Sequence, residues 1–389
     1  MTTQVKSFHC KVTNSEEAGA FLGREIRAHF CDLDIDALVV FASSTHRYPS
    51  LLKALDEHCN PKVLVGCSSA GEFSHAQVEE NSVSVMAISS DTMHFYAHLE
   101  SGLRENTEEV ASRLAHKFSP YKHADCHHRS ALILTDALAG GVELLIEQLT
   151  LCSSAQYQLF GGGAGDDGHF EETQVFLGTE AYSDSVVALE ILSQQKLGIS
   201  VRHGWVPGSA PMRVTHAEGP VVYSINATAA TEVFKDYAQQ QGYPFDPECP
   251  MPFFLQNIVG IKSNDQYHLR VPLKIQQDGG VVFAAEVPVG ATISIMTSEI
   301  QSVEEAAKLA AKDAMSQVKG KPAHALFFDC VATRLRAGGD FDKELQSVQE
   351  ELKECEFVGC NTYGQIARVD GQFEGFHNCT AVVCTIPSD

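Results

Sequence analysis

Cys67 and Cys360 each close an apolar run, in Val65-Gly66-Cys67 and Val358-Gly359-Cys360, at turns whose backbone amides can lower a thiol pKa. A thiol nucleophile also needs a neighbouring base, and no local Cys-His arrangement supplies one. Cys67, Cys360 and Cys330 therefore read first as small buried hydrophobes and only then as nucleophiles. The second of the three glycine runs carries Gly162 in the matching place. Glu72 and Gln365 correspond in the same way, and Asp166 stands near that position in the second run, so a polar group points at a shared cavity or caps a turn. Gly163, Gly165 and Gly168 spell Gly-x-Gly-x-x-Gly, which in a dinucleotide site presents helix-terminal amides to a pyrophosphate. The residues after this motif alternate like a strand, so no helix terminus is available and that assignment fails. The glycines then serve a tight turn with positive φ, or a pocket wall whose bare amides meet a small ligand beside Asp166 and Asp167.

Among seventeen histidines, His75, His169, His203 and His377 lie at turns or strand ends. One axial histidine is enough to hold a non-covalent haem in an apolar pocket, so each is an alternative candidate for that ligand, with Cys249-Pro250 ranked below them. None of the twelve cysteines forms a Cys-x-x-Cys pair, which removes a zinc ribbon and covalent haem attachment. Their irregular spacing, several inside apolar runs, fits reduced thiols and not a disulfide framework.

These residues sit on a repeated element order. The helix SEEAGAFLGREIRAHF, capped by Asn14, leads into the strand ALVVFAS, the helix PSLLKALDEHC, the strand KVLVG, the turn CSSAGEF and the strand SVSVMAI. The order returns as SALILTDAL, VELLIEQLTLC, QLFGG, GAGDDGHF, the strand TQVFLG and SVVALEIL, and again as AHALFFDCVA, FDKELQSVQEELKE, EFVG, CNTYGQI and NCTAVVCTI. Gly66, Gly161 and Gly359 share one slot, and a degenerate fourth copy is expected near Gly260. The fold class is therefore α/β, with repeated strand-helix-strand-Gly turn-strand units forming mixed, largely buried sheets flanked by helices. Two closely packed domains are expected, residues 1–222 and 223–389.

A formal net charge of -22 disfavours nucleic acid and anionic membrane surfaces as partners. No apolar stretch reaches a spanning length and the amino terminus lacks a basic segment leading into an apolar run, so membrane insertion is not expected and the cytoplasm is.

Taken in order, GCSSAGEF, GGGAGDDGHFEETQVF, VRHGWVPG, GGVVFAAEVPVGATI and VGCNTYGQIARVDG with FHNCTAVVCTI resemble the FIST family of sensory proteins, which joins a FIST N and a FIST C domain, over nearly the whole chain. Two positions depart from its pattern: Thr333 occupies the slot where Cys330-x-x-Arg is expected, with Arg334 one residue late, and Gln365 replaces a glutamate. The resemblance implies a non-enzymatic, stand-alone sensor that binds a small-molecule ligand. The candidate contacts are Gly66, Cys67, Gly71 and Glu72 on the first turn, Gly162, Gly163 and Asp167 on the second, Tyr363 and Gly364 on the third, and Cys330, Arg334 and Asn378 beside it. A subgroup of similar size implies haem b, nitric oxide sensing and a histidine kinase partner. A haem-free receptor for an amino acid, with Asp167 or Glu72 taking the ammonium group, is the second reading. A thiol-dependent enzyme and an interaction scaffold rank after it.

Overall fold

The computed structural model describes residues 3–74, 77–264, 266–369 and 375–388. Its first unit runs β1 (Thr3–Cys10), α1 (Ser15–Phe30), β2 (Ala37–Ala42), α2 (Tyr48–Cys59), β3 (Val63–Ser68), a hairpin β4 (Glu72–Ser74) and β5 (Gln77–Glu79), and β6 (Val83–Ser90). The second repeats it with β7 (Met93–Ser101), α3 (Leu103–Lys117), β8 (His128–Thr135), α4 (Val142–Cys152), β9 (Gln158–Gly163), the hairpin β10 (Val175–Leu177) and β11 (Glu180–Tyr182), and β12 (Ser185–Ser193).

The third unit opens with β13 (Gly198–Arg202) and is then interrupted. The interruption comprises β14 (Val206–Pro207), β15 (Met212–Glu218), β16 (Val221–Ile225), β17 (Thr228–Ala229), α5 (Ala230–Gln241), α6 (Met251–Phe254), β18 (Ile258–Ser263), β19 (Gln266–Arg270), β20 (Pro272–Ile275), β21 (Val281–Phe283) and β22 (Thr292–Thr297). The unit resumes with α7 (Ile300–Gln317), β23 (Pro322–Cys330), α8 (Val331–Ala337), α9 (Phe341–Leu352), β24 (Phe357–Thr362), the hairpin β25 (Gln365–Arg368) and β26 (Phe376–His377), and β27 (Ala381–Pro387).

Each unit builds the same four-strand order: β1-β6-β2-β3, β7-β12-β8-β9 and β13-β27-β23-β24. One pair in each is parallel, β2 with β3, β8 with β9 and β23 with β24, because a helix carries the chain back across the face. Each sheet is then completed by a hairpin from another unit. The second unit's β10 pairs with β3, the third unit's β25 with β9, and the first unit's β4 with β24. The exchange is closed and cyclic.

Strand faces explain the apolar runs. The inner faces of the three sheets form one central core, with Val39, Phe41, Leu132, Phe160, Phe328 and Val358 among its members. The outer faces are covered by the helices of their own units. Helix α1 covers the residues its sequence pattern marks, and Asn14 Oδ1 accepts the Glu17 amide at 3.1 Å as a cap should.

One expectation, the fourth copy, is corrected, and the others gain detail. The strand-helix-strand-Gly turn-strand order is present in each unit, and β1, β7 and β13 add an edge strand ahead of it. Gly260 lies on β18, whose partners β19 and β22 are both antiparallel, so the interruption is not a fourth copy, which would carry a parallel pair. Residue 222 lies in β16, part of an antiparallel sheet that β15 to β22 build with a core of their own.

Candidate functional site

The three glycine turns meet where the three sheets converge, and they meet one another. Ala70 N donates to Asn361 O (3.0 Å) and Asn361 N to Gly71 O (2.8 Å). Gly165 N donates to Ser68 O (3.0 Å) and Asp167 N to Ser69 O (3.0 Å). Gly163 N donates to Gly364 O (2.9 Å) and Tyr363 N to Gly163 O (3.0 Å). The amides expected to line a pocket are thus consumed in joining the turns. Gly66, Gly161 and Gly359 have a simpler reason to be glycine: an added Cβ would lie 2.1, 2.1 and 1.7 Å from the carbonyl oxygens of Val40, Ile133 and Phe327. At Gly71, with φ +125°, a Cβ would strike the Arg334 guanidinium at 1.9 Å.

Around this knot the candidate side chains are engaged. Glu72 is fully buried, accepts from the hydroxyls of Ser69 and Ser82 (2.7 Å to the latter), and burial pushes its pKa up to about 7. Asp167 Oδ2 accepts from Ser43 Oγ (2.9 Å), Ser44 N (2.7 Å) and Ser44 Oγ (2.5 Å), tying the second turn to the first unit. Arg334 donates to Ala70 O at 2.5 Å and pairs with Glu80 at 3.0 Å. Tyr363 donates its hydroxyl to Asp166 and stacks on Phe170 at 4.3 Å. Asn378 donates to His377 O at 3.3 Å. Cys67 and Cys360 touch across two units inside the central core, where burial pushes the Cys360 thiol up. Register places Val175, not Asp166, in the slot shared by Glu72 and Gln365, because the second turn is longer and Asp166 belongs to its extension. Asp166 instead organises that extension by accepting the amides of Phe170 (2.8 Å), Glu171 (2.6 Å) and Glu172 (3.0 Å).

Two places away from this knot gather polar side chains, and the first of them is an open cavity. An open cavity of about 220 Å³ lies between the first unit and the second turn, lined by Ser44, Tyr48, Asp166, His169, Glu171, Glu172 and Gln174. His169 points one ring nitrogen at Asp166 O (2.7 Å). The other place is the junction of the inserted sheet with the ring of units, where His203 and His377 come together. His268 on β19 joins them, its ring 6.4 Å from that of His377 and in electrostatic range of His203. Burial pushes His377 down to about 4 and lowers His203, so both are neutral at pH 7. His203 Nδ1 accepts from Trp205 N (3.3 Å), and His377 Nε2 contacts Ala367 O (3.0 Å). An apolar cluster of Trp205, Leu269, Val271, Met296, Cys330 and Cys379 backs the junction. Arg336 lies over the Trp205 ring at 4.8 Å, and Arg270 reaches across to Glu143 at 2.6 Å.

His75 lies outside the described residues, and Cys249 is an exposed free thiol. His268 is the residue that sequence reasoning passes over: it sits on β19, in the segment read for Gly260 on β18, and only the fold brings it to the other two. Among the described residues, no three His, Cys, Asp or Glu side chains can by themselves hold a metal ion.

Residues 36–228 match the family described as FIST N domain and residues 230–368 that described as FIST C domain. The chain is also similar to an uncharacterized protein of Methanocaldococcus jannaschii, 23% identical over 317 residues, which is 75% of this chain and 60% of that one. The chain thus spans less than two thirds of that relative's length.

Proposed function

Since this chain belongs to the FIST family, carrying its N and C domains in tandem, we propose that it is a ligand-sensing protein that reports occupancy of the histidine junction to a signalling partner. The observation that carries this reading is the meeting of His203, His268 and His377 between the inserted sheet and the ring. A ligand held there touches two bodies at once, and only a ligand that interacts differently with two arrangements can shift their balance.

Haem b is the ligand proposed for this junction. Its donor requirements fit: a neutral imidazole for the axial position, and an apolar flank in Trp205, Leu269 and Met296. His377 is the first choice for the axial ligand, then His203 and His268. When bound, haem would supply a ferrous iron that takes up nitric oxide. Burial keeps the His377 and His203 imidazoles uncharged at the junction. The test is haem reconstitution of the purified chain, with a Soret band that moves on addition of nitric oxide. Loss of that band in one of His377→Ala, His203→Ala or His268→Ala identifies the ligand, and the absence of any band in the wild type ends the haem reading.

A second reading is favoured by the open cavity. Its acidic lining of Asp166, Glu171 and Glu172 suits a small ligand with an ammonium group, in a volume of about 220 Å³ that is too small for haem. Asp167 and Glu72, expected to take that group, already have hydroxyl and amide partners. Thermal-shift screening with amino acids and amines tests it, since a ligand selective for the folded state raises apparent stability.

The partner proposed is a histidine kinase in the cytoplasm, with no catalytic role for this chain. Haem-loaded and haem-free forms should differ in their effect on kinase autophosphorylation, and equal effects would remove the signalling claim. No helix among the described residues is long and apolar enough to cross a membrane.

A further inference from the structure

The pseudo-symmetry of the three units singles out a pair of cysteines. Pairing of Val40 with Gly66, Ile133 with Gly161 and Phe327 with Gly359 makes Ser43, Asp136 and Cys330 equivalent, each at the carboxyl end of the unit's second strand. The last strands align through Val85, Ala188 and Val383, which makes Asn81, Asp184 and Cys379 equivalent as well. All three of these residues have positive φ, at 54°, 51° and 50°. Asparagine and aspartate accept that conformation readily through their short polar side chains, whereas cysteine does not. In the second unit the two slots touch, with Asp184 N donating to Asp136 Oδ2 at 2.6 Å. In the third unit sulfur stands in both slots, and Cys330 and Cys379 belong to one buried cluster with their thiols in range of each other.

From this geometry we infer that Cys330 and Cys379 form a thiol-modification site, in which a peroxide oxidises Cys330 and Cys379 resolves it to an intrachain disulfide. The Cys330 thiolate attacks one peroxide oxygen, the O–O bond breaks, and hydroxide leaves with the electron pair, so that sulfur becomes a sulfenic acid. Cys379 sulfur then attacks Cys330 sulfur; its proton and the sulfenic hydroxyl leave as water, and the S–S bond forms. One thiolate, one thiol and one peroxide give one disulfide, one water and one hydroxide. The surrounding donors, which push Cys330 down to about 6, favour the reactive form.

The chain holds its own control. Cys67 and Cys360 also touch, but they sit in apolar core at 0% exposure, while Cys330 and Cys379 each keep 4%. The new bond would tie the start of α8, which carries Arg336, to the turn before β27, within the cluster on which the inserted sheet packs.

The test uses the full chain with its exposed thiols removed, Cys31→Ser, Cys152→Ser and Cys249→Ser. After hydrogen peroxide, alkylation under denaturing conditions and peptide mass mapping should show a Cys330–Cys379 cross-link. The free-thiol titre should fall by two and be restored by dithiothreitol. In Cys379→Ser, dimedone should trap a sulfenic acid on Cys330, while Cys330→Ser should leave Cys379 free. The inference is overturned if Cys330 and Cys379 both stay alkylatable, if the cross-link forms at Cys67 and Cys360 instead, or if Cys330 proceeds to sulfinic acid with Cys379 untouched. The cross-link is read in a chain that keeps both thiols, so a folding defect in either single variant does not decide the result.

Discussion

Replacing Glu72 by glutamine tests whether the first turn holds a proton at the centre of the ring. Burial, reinforced by the nearby Asp167 charge and opposed by the hydroxyls of Ser69 and Ser82, raises its pKa from 4.5 to about 7. The folded chain then binds this proton more tightly than the unfolded chain does. Stability is therefore lost as pH rises from 4.5 to 7, and the loss is complete above 7. At about 1.4 kcal/mol per unit the whole difference is about 3 kcal/mol, of which about 2.5 kcal/mol falls between pH 5 and pH 8. Glutamine keeps the shape and removes the titration. The third unit already places Gln365 in this slot, with Nε2 donating to Thr362 Oγ1 at 2.9 Å and Oε1 accepting from Thr380 Oγ1 at 3.2 Å. Urea unfolding of Glu72→Gln and wild type at both pH values should show the variant gaining about 2.5 kcal/mol on the wild type from pH 5 to pH 8. An offset that is the same at both pH values would refute a proton held on Glu72.

Gly359→Ala should cost about 3 kcal/mol or more, because its Cβ meets Phe327 O at 1.7 Å and the Phe73 ring at 2.7 Å; thermal unfolding reads it. Gly339→Ala, with nothing within 4 Å, should stay within about 0.5 kcal/mol and serves as the comparison. Arg270→Ala removes a buried guanidinium that bonds Glu286 O (3.0 Å), Leu269 O (3.0 Å) and Glu143 (2.6 Å), so limited proteolysis should cut the inserted sheet sooner than in wild type. His377, held neutral down to about 4, contributes stability that is lost as pH falls from 6.5 through 4, and His377→Gln should flatten unfolding free energy across that window.

Much of the ring was legible because its signals are local. Helix α4 spans Val142–Cys152 and α1 spans Ser15–Phe30 as their apolar spacing predicts, and the strands around Gly66, Gly161 and Gly359 lie where continuous apolar runs put them. Strand β7 is harder to read, since its burial falls away after Phe95 and it carries His94, Tyr96 and His98 on a partly exposed edge. The destination of each hairpin was not legible at all. A strand of three residues such as β4 or β10 has no sequence mark for which sheet it will join, and that pairing decides whether turn amides face a ligand or one another. The histidine junction was half legible: His203 and His377 stand at element ends, while His268 lies inside β19 and reaches them only through the docking of the inserted sheet.

The closed exchange of hairpins has the connectivity of a domain-swapped cyclic trimer written on a single polypeptide. A trimer of identical chains must repeat every site three times, so a charge or a thiol placed near its axis arrives in triplicate. Continuity of the chain lifts that constraint. One slot here holds Glu72, Val175 and Gln365, another Ser43, Asp136 and Cys330, and a third Asn81, Asp184 and Cys379. The inserted sheet likewise occurs once, and with it the histidine junction. Symmetry supplies the frame, and fusion lets one of its three corners become different from the others.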